Sequence, residues 1–391
     1  MLLSIFKYLL ISVPLLAAGG YTFLQLHPVF GGRPDAQSLA RMQASKAWRD
    51  GAFYNLETTP LFTGQDAAPV QIFDWWLKML RPPAGKVPAT PLPSVPLDAA
   101  QLAAADGTLA WLGHATVLMR LAGKTIVTDP VFYNASPVPF TVSPFPMQHR
   151  PRTADMPPLD AVLISHDHYD HLDWRAIREL APKTAHFYVP LGVRAHLLRW
   201  GVADEKITEL DWEEKTQLGD IDIIFVPARH FSGRRPRPEA NTFSGGKSPP
   251  GTAPKLNSPG PTLWGGYVLQ TSEARIYFSA DSGYGNHYKN VIAKYGPFDF
   301  AMIECGAYNE KWALIHQMPE QAVQAALDVG AARAMPIHWG KFDLSEHSWT
   351  DPIERFIRAA TERGLPVATP HIGEVFTLTA LPQHRWWKNV Q

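Results

Sequence analysis

Apolar residues in this chain fall into short runs separated by turn residues, the pattern of a strand-rich domain rather than a helical bundle. Runs at 109–112, 116–121 and 125–128 follow closely, with Ala122-Gly123-Lys124 as a hairpin turn, so an antiparallel sheet opens the domain. Further strands are expected at 159–164, 187–190, 221–226, 264–271, 275–279 and 298–303. Helical spacing appears in three places. Asp173 caps a short helix in which Trp174, Ile177 and Leu180 recur every three positions before Pro182. A helix over 319–329 is closed by Gly330, and one over 351–363 by Gly364. In the last, Ile353, Phe356, Ile357 and Ala360 form one apolar stripe, a face that packs on a sheet. Strands first, then strands mixed with helices, predict an α+β fold of two packed sheets with helices outside.

Both ends depart from this pattern. In residues 1–26 Lys7 is the only charge, and 8–26 is mostly apolar, close to the about 20 residues that span a bilayer as a helix. An uncleaved membrane anchor is expected; a cleaved signal is the rival, with small residues at Leu16-Ala17-Ala18-Gly19-Gly20. With Lys7 and the amino terminus before the span, positive-inside bias places the rest of the chain beyond the membrane. Residues 27–106 scatter Trp48, Phe53, Tyr54, Phe73, Trp75 and Trp76 among polar positions, which suggests an extension wrapping onto the main domain. Pro82, Pro83, Pro88, Pro91, Pro93 and Pro96 mark its extended end. The main domain then runs over 107–378, with a tail at 379–391. Within it, 232–261 is rich in Gly, Pro, Ser and Asn and basic through Arg234, Arg235, Arg237, Lys247 and Lys255, a functional loop or a disordered one.

Composition narrows the chemistry. The 391 residues are 46% hydrophobic, enough for a substantial core. Lys plus Arg and Asp plus Glu are 36 each, so no global field draws the chain to nucleic acid or to an anionic membrane, and any such attraction must be local. A single cysteine, Cys305, excludes an intramolecular disulfide and a cysteine-based zinc site, which leaves fifteen histidines as nitrogen donors.

The histidines concentrate in Ser165-His166-Asp167-His168-Tyr169-Asp170-His171, directly behind the apolar run 159–164. Residues two apart on an extended backbone point the same way, so His166, His168 and Asp170 converge while His171 faces a second position. One short loop therefore offers ligands to two metals, and imidazole with carboxylate suits zinc or a similar divalent ion. Three more candidates follow strands: His230 after 221–226, Asp281 in Ser279-Ala280-Asp281-Ser282-Gly283, and His338 in Pro336-Ile337-His338-Trp339-Gly340. Each alone is more often structural. With the first loop they complete a two-metal set.

This set resembles the metallo-β-lactamase superfamily, whose fold is an αββα sandwich. The pieces Trp111-Leu112-Gly113-His114-Ala115-Thr116, Thr128-Asp129-Pro130, 165–172, Leu210-Asp211-Trp212, Gly296-Pro297-Phe298-Asp299, Gly306-Ala307-Tyr308 and His338-Trp339-Gly340 resemble N-acylphosphatidylethanolamine-hydrolysing phospholipase D and its bacterial relatives. The resemblance implies that His166, His168 and His230 hold one zinc ion, that Asp170, His171 and His338 hold a second, and that Asp281 bridges both. Iron or manganese would suit the same donors. It implies attack of a metal-bridged hydroxide on phosphorus, releasing N-acylethanolamine and phosphatidic acid. It also implies that Asp129 orients a ligating imidazole, that His316 lies near the substrate head group, and that Arg234 meets a phosphate. His114, at a strand turn, reads as structural. Membrane and phospholipid are the expected partners, with residues 1–26 holding the domain on the periplasmic side of a bacterial inner membrane. Two other readings compete: a lactonase or other phosphodiesterase on the same fold, and a non-catalytic membrane-tethered binding protein.

Overall fold

The computed structural model describes residues 12, 14, 15, 18–63, 85–138, 141–235 and 258–390. Phe73, Trp75, Trp76, Pro82, Pro83, Arg237, Lys247, Lys255 and much of the expected anchor lie outside the described residues.

Alternation along the strands sets the layers. In β3 (Thr108–Trp111), β4 (Val117–Leu121), β5 (Lys124–Thr128) and β6 (Leu159–Leu163), the residues Leu109, Trp111, Val117, Met119, Ile126, Ala161 and Leu163 join one core. Their neighbours Ala110, Leu118, Val127 and Val162 join another, with Ala176, Ile177 and Leu180 of the helix Trp174–Leu180. Both faces of this sheet are therefore buried, which is why its strands read as continuous apolar runs.

The sheet has seven strands, in the order β15 (Val375–Thr377), β3, β4, β5, β6, β7 (Thr184–Pro190) and β8 (Ile207–Leu210). The second has six, β14 (Ala334–Ile337), β13 (Phe300–Glu304), β12 (Arg275–Phe278), β11 (Gly265–Gln270), β10 (Ile221–Pro227) and β9 (Lys215–Leu218). Each is antiparallel in one part and parallel in the other: β5 to β8 run parallel, as do β12 to β14. Parallel neighbours need crossovers. The helices Trp174–Leu180, Arg194–Arg199 and Pro319–Asp328 lie in those from β6 to β7, β7 to β8 and β13 to β14. The result is the expected αββα sandwich, and the capping at Asp173 is present, its side chain accepting from Arg175 N and Ala176 N.

The small hairpin β1 (Trp48–Arg49) and β2 (Ala52–Phe53) belongs to the N-terminal extension, which lies on the domain through bridges Phe53 to Gly260, Leu92 to Met147 and Ser94 to Ile372. Within the tail, residues 379–390 pack on the domain. Trp386 and Trp387 are buried, and Trp386 stacks on Trp339 at 5.3 Å. Near the amino terminus 18–26 is helical, and among the described residues no helix is long and apolar enough to cross a membrane.

Candidate metal centre

The chemistry collects where strands of both sheets end. His166 to His171 follow β6, Asp129 follows β5, His114 follows β3, His230 follows β10, Asp281 follows β12 and His338 follows β14. The turns are tight: φ is +58° at His114, +36° at Asp129, +52° at Ala280 and +68° at His338. Such angles cost a non-glycine residue about 1–3 kcal/mol and persist where surrounding structure fixes them. At Gly306 an added Cβ would lie 1.9 Å from the carbonyl oxygen of His338, so only glycine lets the two chains meet there.

One cluster is made of imidazoles. His166 Nε2 lies 2.9 Å from His168 Nδ1, which lies 3.2 Å from His230 Nε2. Burial holds all three below the ordinary histidine pKa, so they are neutral near pH 7. His230 Nδ1 donates to Ile315 O at 2.9 Å, which leaves its Nε2 a bare lone pair aimed at the others. One proton on His168 could satisfy only one neighbour. A cation would satisfy all three.

The second cluster surrounds Asp170. Its Oδ2 is 3.1 Å from His114 Nε2, 3.3 Å from His338 Nε2 and 3.4 Å from His171 Nε2. Asp281 reaches both clusters: Oδ1 is 3.1 Å from His171 Nε2, while Oδ2 is 3.1 Å from His338 Nε2 and 3.7 Å from His230 Nε2. Burial alone would depress the His338 pKa, but the charge of Asp281 and the hydrogen bond to Asp170 outweigh it and lift it to about 10. At His171 burial is likewise outweighed by Asp281 and Asp170, and the pKa stands well above the usual value. Among the described residues no Lys or Arg pairs with either carboxylate, so the pocket draws its positive charge from protons on imidazoles. Divalent cations would supply that charge instead. Two buried atoms that lack any hydrogen-bond partner, His171 Nε2 and Asp281 Oδ1, face each other. Orphaned donors of this kind, in an imidazole and carboxylate set, fit zinc or iron.

Asp129 lies behind the site. Its Oδ2 accepts from His171 Nδ1 at 2.7 Å and from Ser165 Oγ at 2.6 Å, while Oδ1 accepts from Ser165 N at 2.8 Å. It fixes which nitrogen of His171 faces the pocket. Asp129→Asn is expected to weaken metal binding by about 10- to 100-fold, read by chelator competition on the purified protein.

Asn55 of the extension does comparable work for another candidate, its Nδ2 donating to His230 O at 2.7 Å and its Oδ1 accepting from His230 N at 3.0 Å. His316 stands beside the metal donors, 5.0 Å between ring centroids from His230 and 5.3 Å from His338. Burial lowers its pKa to about 4, and its Nδ1 pairs with Glu304.

Two expectations change. Arg234 does not face the pocket: it is buried, and its guanidinium donates to Val29 O at 2.9 Å and to Asp167 O and Leu172 O, both at 2.7 Å. Its donors are taken by these three carbonyls, two of them in the His-rich loop, so it clamps that loop instead of facing a phosphate. His114, read from the sequence as a strand-turn residue, stands among the donors. Backbone bonds from His114 N to Trp339 O and from His338 N to His114 O bring it against Asp170. Glu304, buried at the end of β13, was also missed; its one signal was a carboxylate closing the apolar run 298–303.

A family profile described as a beta-lactamase superfamily domain matches residues 124–339, which carry every candidate ligand except His114. The chain belongs to the beta-lactamase superfamily. Its superfamily relatives include an uncharacterized protein of Mycobacterium tuberculosis, 36% identical over 381 residues that make up 95% of this chain and 96% of that one. The N-acyl-phosphatidylethanolamine-hydrolyzing phospholipase D 1 of Caenorhabditis elegans is 34% identical over 249 residues, 60% of this chain and 64% of its own length. A possible metal-dependent hydrolase from Veillonella parvula has the same fold, with a TM-score of 0.52 at 15% identity over 70% of this chain and 100% of that one. The chain is a metal-dependent hydrolase of the metallo-β-lactamase fold.

Proposed function

We propose that this chain is a dinuclear zinc phosphodiesterase that hydrolyses N-acylphosphatidylethanolamine, or a related phospholipid, to N-acylethanolamine and phosphatidic acid. The observation that carries it is Asp281, one carboxylate within reach of both donor clusters. Identity of 34% with the nematode phospholipase D supports the choice of substrate.

In this reading His166, His168 and His230 would hold one ion and Asp170, His171 and His338 another, with Asp281 within reach of both groups and His114 a further donor beside Asp170. Bound there, divalent cations would supply a water of pKa about 7 and polarise a phosphoryl oxygen. The protein's part is positional. Asp129 and Ile315 O hold the two imidazoles in the tautomers that present Nε2. His316, braced by Glu304, offers its second nitrogen to the substrate. A cavity of about 600 Å³ is lined in part by Tyr308, Met318, His347 and Arg355, with none of the proposed metal donors in its wall. Residues 1–26 would hold the enzyme at the membrane in which such lipids reside.

The test is product analysis. Purified full-length chain with N-acylphosphatidylethanolamine is expected to release phosphatidic acid and N-acylethanolamine, followed by mass spectrometry. Ring opening of a lactone with no phosphatidic acid from any phospholipid would replace this reading with the lactonase one.

A further inference from the structure

The molecule carries a local charge excess that its neutral composition hides. Arg33, Arg175, Arg178 and Arg199 are exposed and Arg235 is half-buried, and each contacts the segment 24–31 or the Trp174 ring that stands beside His27. Arg199 Nη2 donates to Leu26 O at 2.7 Å, and Arg235 donates to Leu24 O, Phe30 O and Gly31 O at 3.3, 3.2 and 3.0 Å. Arg33 reaches Gln25 Oε1 at 3.4 Å. Arg175 and Arg178 lie 5.4 and 5.7 Å from the ring of Trp174, which itself stands 5.9 Å from the His27 ring.

Capping the carbonyl end of one helix needs a cation or two. Five gather here, and among the described residues none of them forms an ion pair, whereas Arg194 nearby is paired with both Asp35 and Asp204. They also repel one another: burial and then the charges of Arg33 and Arg199 lower the Arg235 pKa, and burial followed by Arg175 and Arg199 lowers that of His27. Unpaired like charges kept together at this cost call for an anion.

Which anion is set by what stands in the middle of the ring. The helical segment leaves Leu15, Tyr21 and Leu26 exposed, each at 66–69%, and the sequence before it is apolar apart from Lys7. An apolar stem surrounded by arginines matches the layered chemistry of a bilayer, acyl chains at the centre and phosphates around them. A soluble polyanion would leave the stem without a partner. The ring also lies beside the site: Arg234 joins Val29 O to the metal loop, and Tyr169, half-exposed in that loop, packs 4.4 Å from the Arg234 guanidinium.

We propose that Arg33, Arg175, Arg178, Arg199 and Arg235 form a docking collar for an anionic lipid surface, which seats the membrane next to the metal loop. The collar rests on the phospholipid reading only for its purpose; binding is measured on lipids that are not the proposed substrate, so either idea can fail alone.

The experiment is flotation of the full-length chain with vesicles of pure phosphatidylcholine and of equal parts phosphatidylcholine and phosphatidylglycerol. Tighter binding to the anionic vesicles, weakened by salt, is expected. R33E/R175E/R178E, which changes the three arginines least engaged with the backbone, should weaken anionic binding about a hundredfold or more and leave binding to pure phosphatidylcholine unchanged. The corresponding glutamine set, with thermal unfolding checked for both, guards against misfolding and should show a smaller loss in the same direction. Equal affinity for the two vesicle types, an unaffected triple variant, or preference for RNA over anionic vesicles would overturn the collar.

Discussion

Asp281→Asn is expected to lower kcat by about a thousandfold or more, since each 1.36 kcal/mol is tenfold and metal stabilisation of transition-state charge is worth several kcal/mol. The asparagine keeps the shape but removes the one charge that touches His171, His338 and His230 together. His316→Ala should cost far less, because His316 pairs with Glu304 and carries no bridging charge. Steady-state kinetics of both variants, with folding checked by thermal unfolding, separates the roles. Near wild-type turnover by the aspartate variant would mean that the site is misassigned.

Arg234→Met should act on stability rather than on substrate. It strips donors from Val29 O, Asp167 O and Leu172 O inside the protein. Each buried acceptor left unsatisfied costs about 1–3 kcal/mol, and in a domain of this size each kcal/mol shifts Tm by about 2–4 °C, so a fall of roughly 10 °C is expected. Lysine should not restore it, since one ammonium cannot replace a planar fork that reaches three carbonyls. An unchanged Tm with a raised KM for phospholipid would return Arg234 to the phosphate-binding role that the sequence suggested. The melting curve alone discriminates.

That reversal shows what the sequence could and could not convey. The metal loop was legible because four donors in six residues behind an apolar run have few other uses, and His230, Asp281 and His338 because each closes a strand. The sandwich was legible because strands buried on both faces read as apolar runs. Three of the four edges were not: β8, β9 and β15 are short, and Lys215-Thr216-Gln217-Leu218 has one apolar residue in four. Contacts between distant segments were hidden as well. His114 is brought against Asp170 by backbone bonds with His338 and Trp339, and Arg234 is turned inward by Asp167 O, Leu172 O and Val29 O, the last 205 positions away. The residues 379–391 looked like a tail because tryptophans that stack on a partner far back in the chain leave no local period.

Everything argued about the reaction rests on two cations sharing Asp281. Elemental analysis of the purified full-length chain, with protein concentration from amino-acid analysis, measures that directly. About two equivalents of zinc or iron per chain are expected, falling in Asp281→Asn. One equivalent or none in the wild type would contradict the two-metal site.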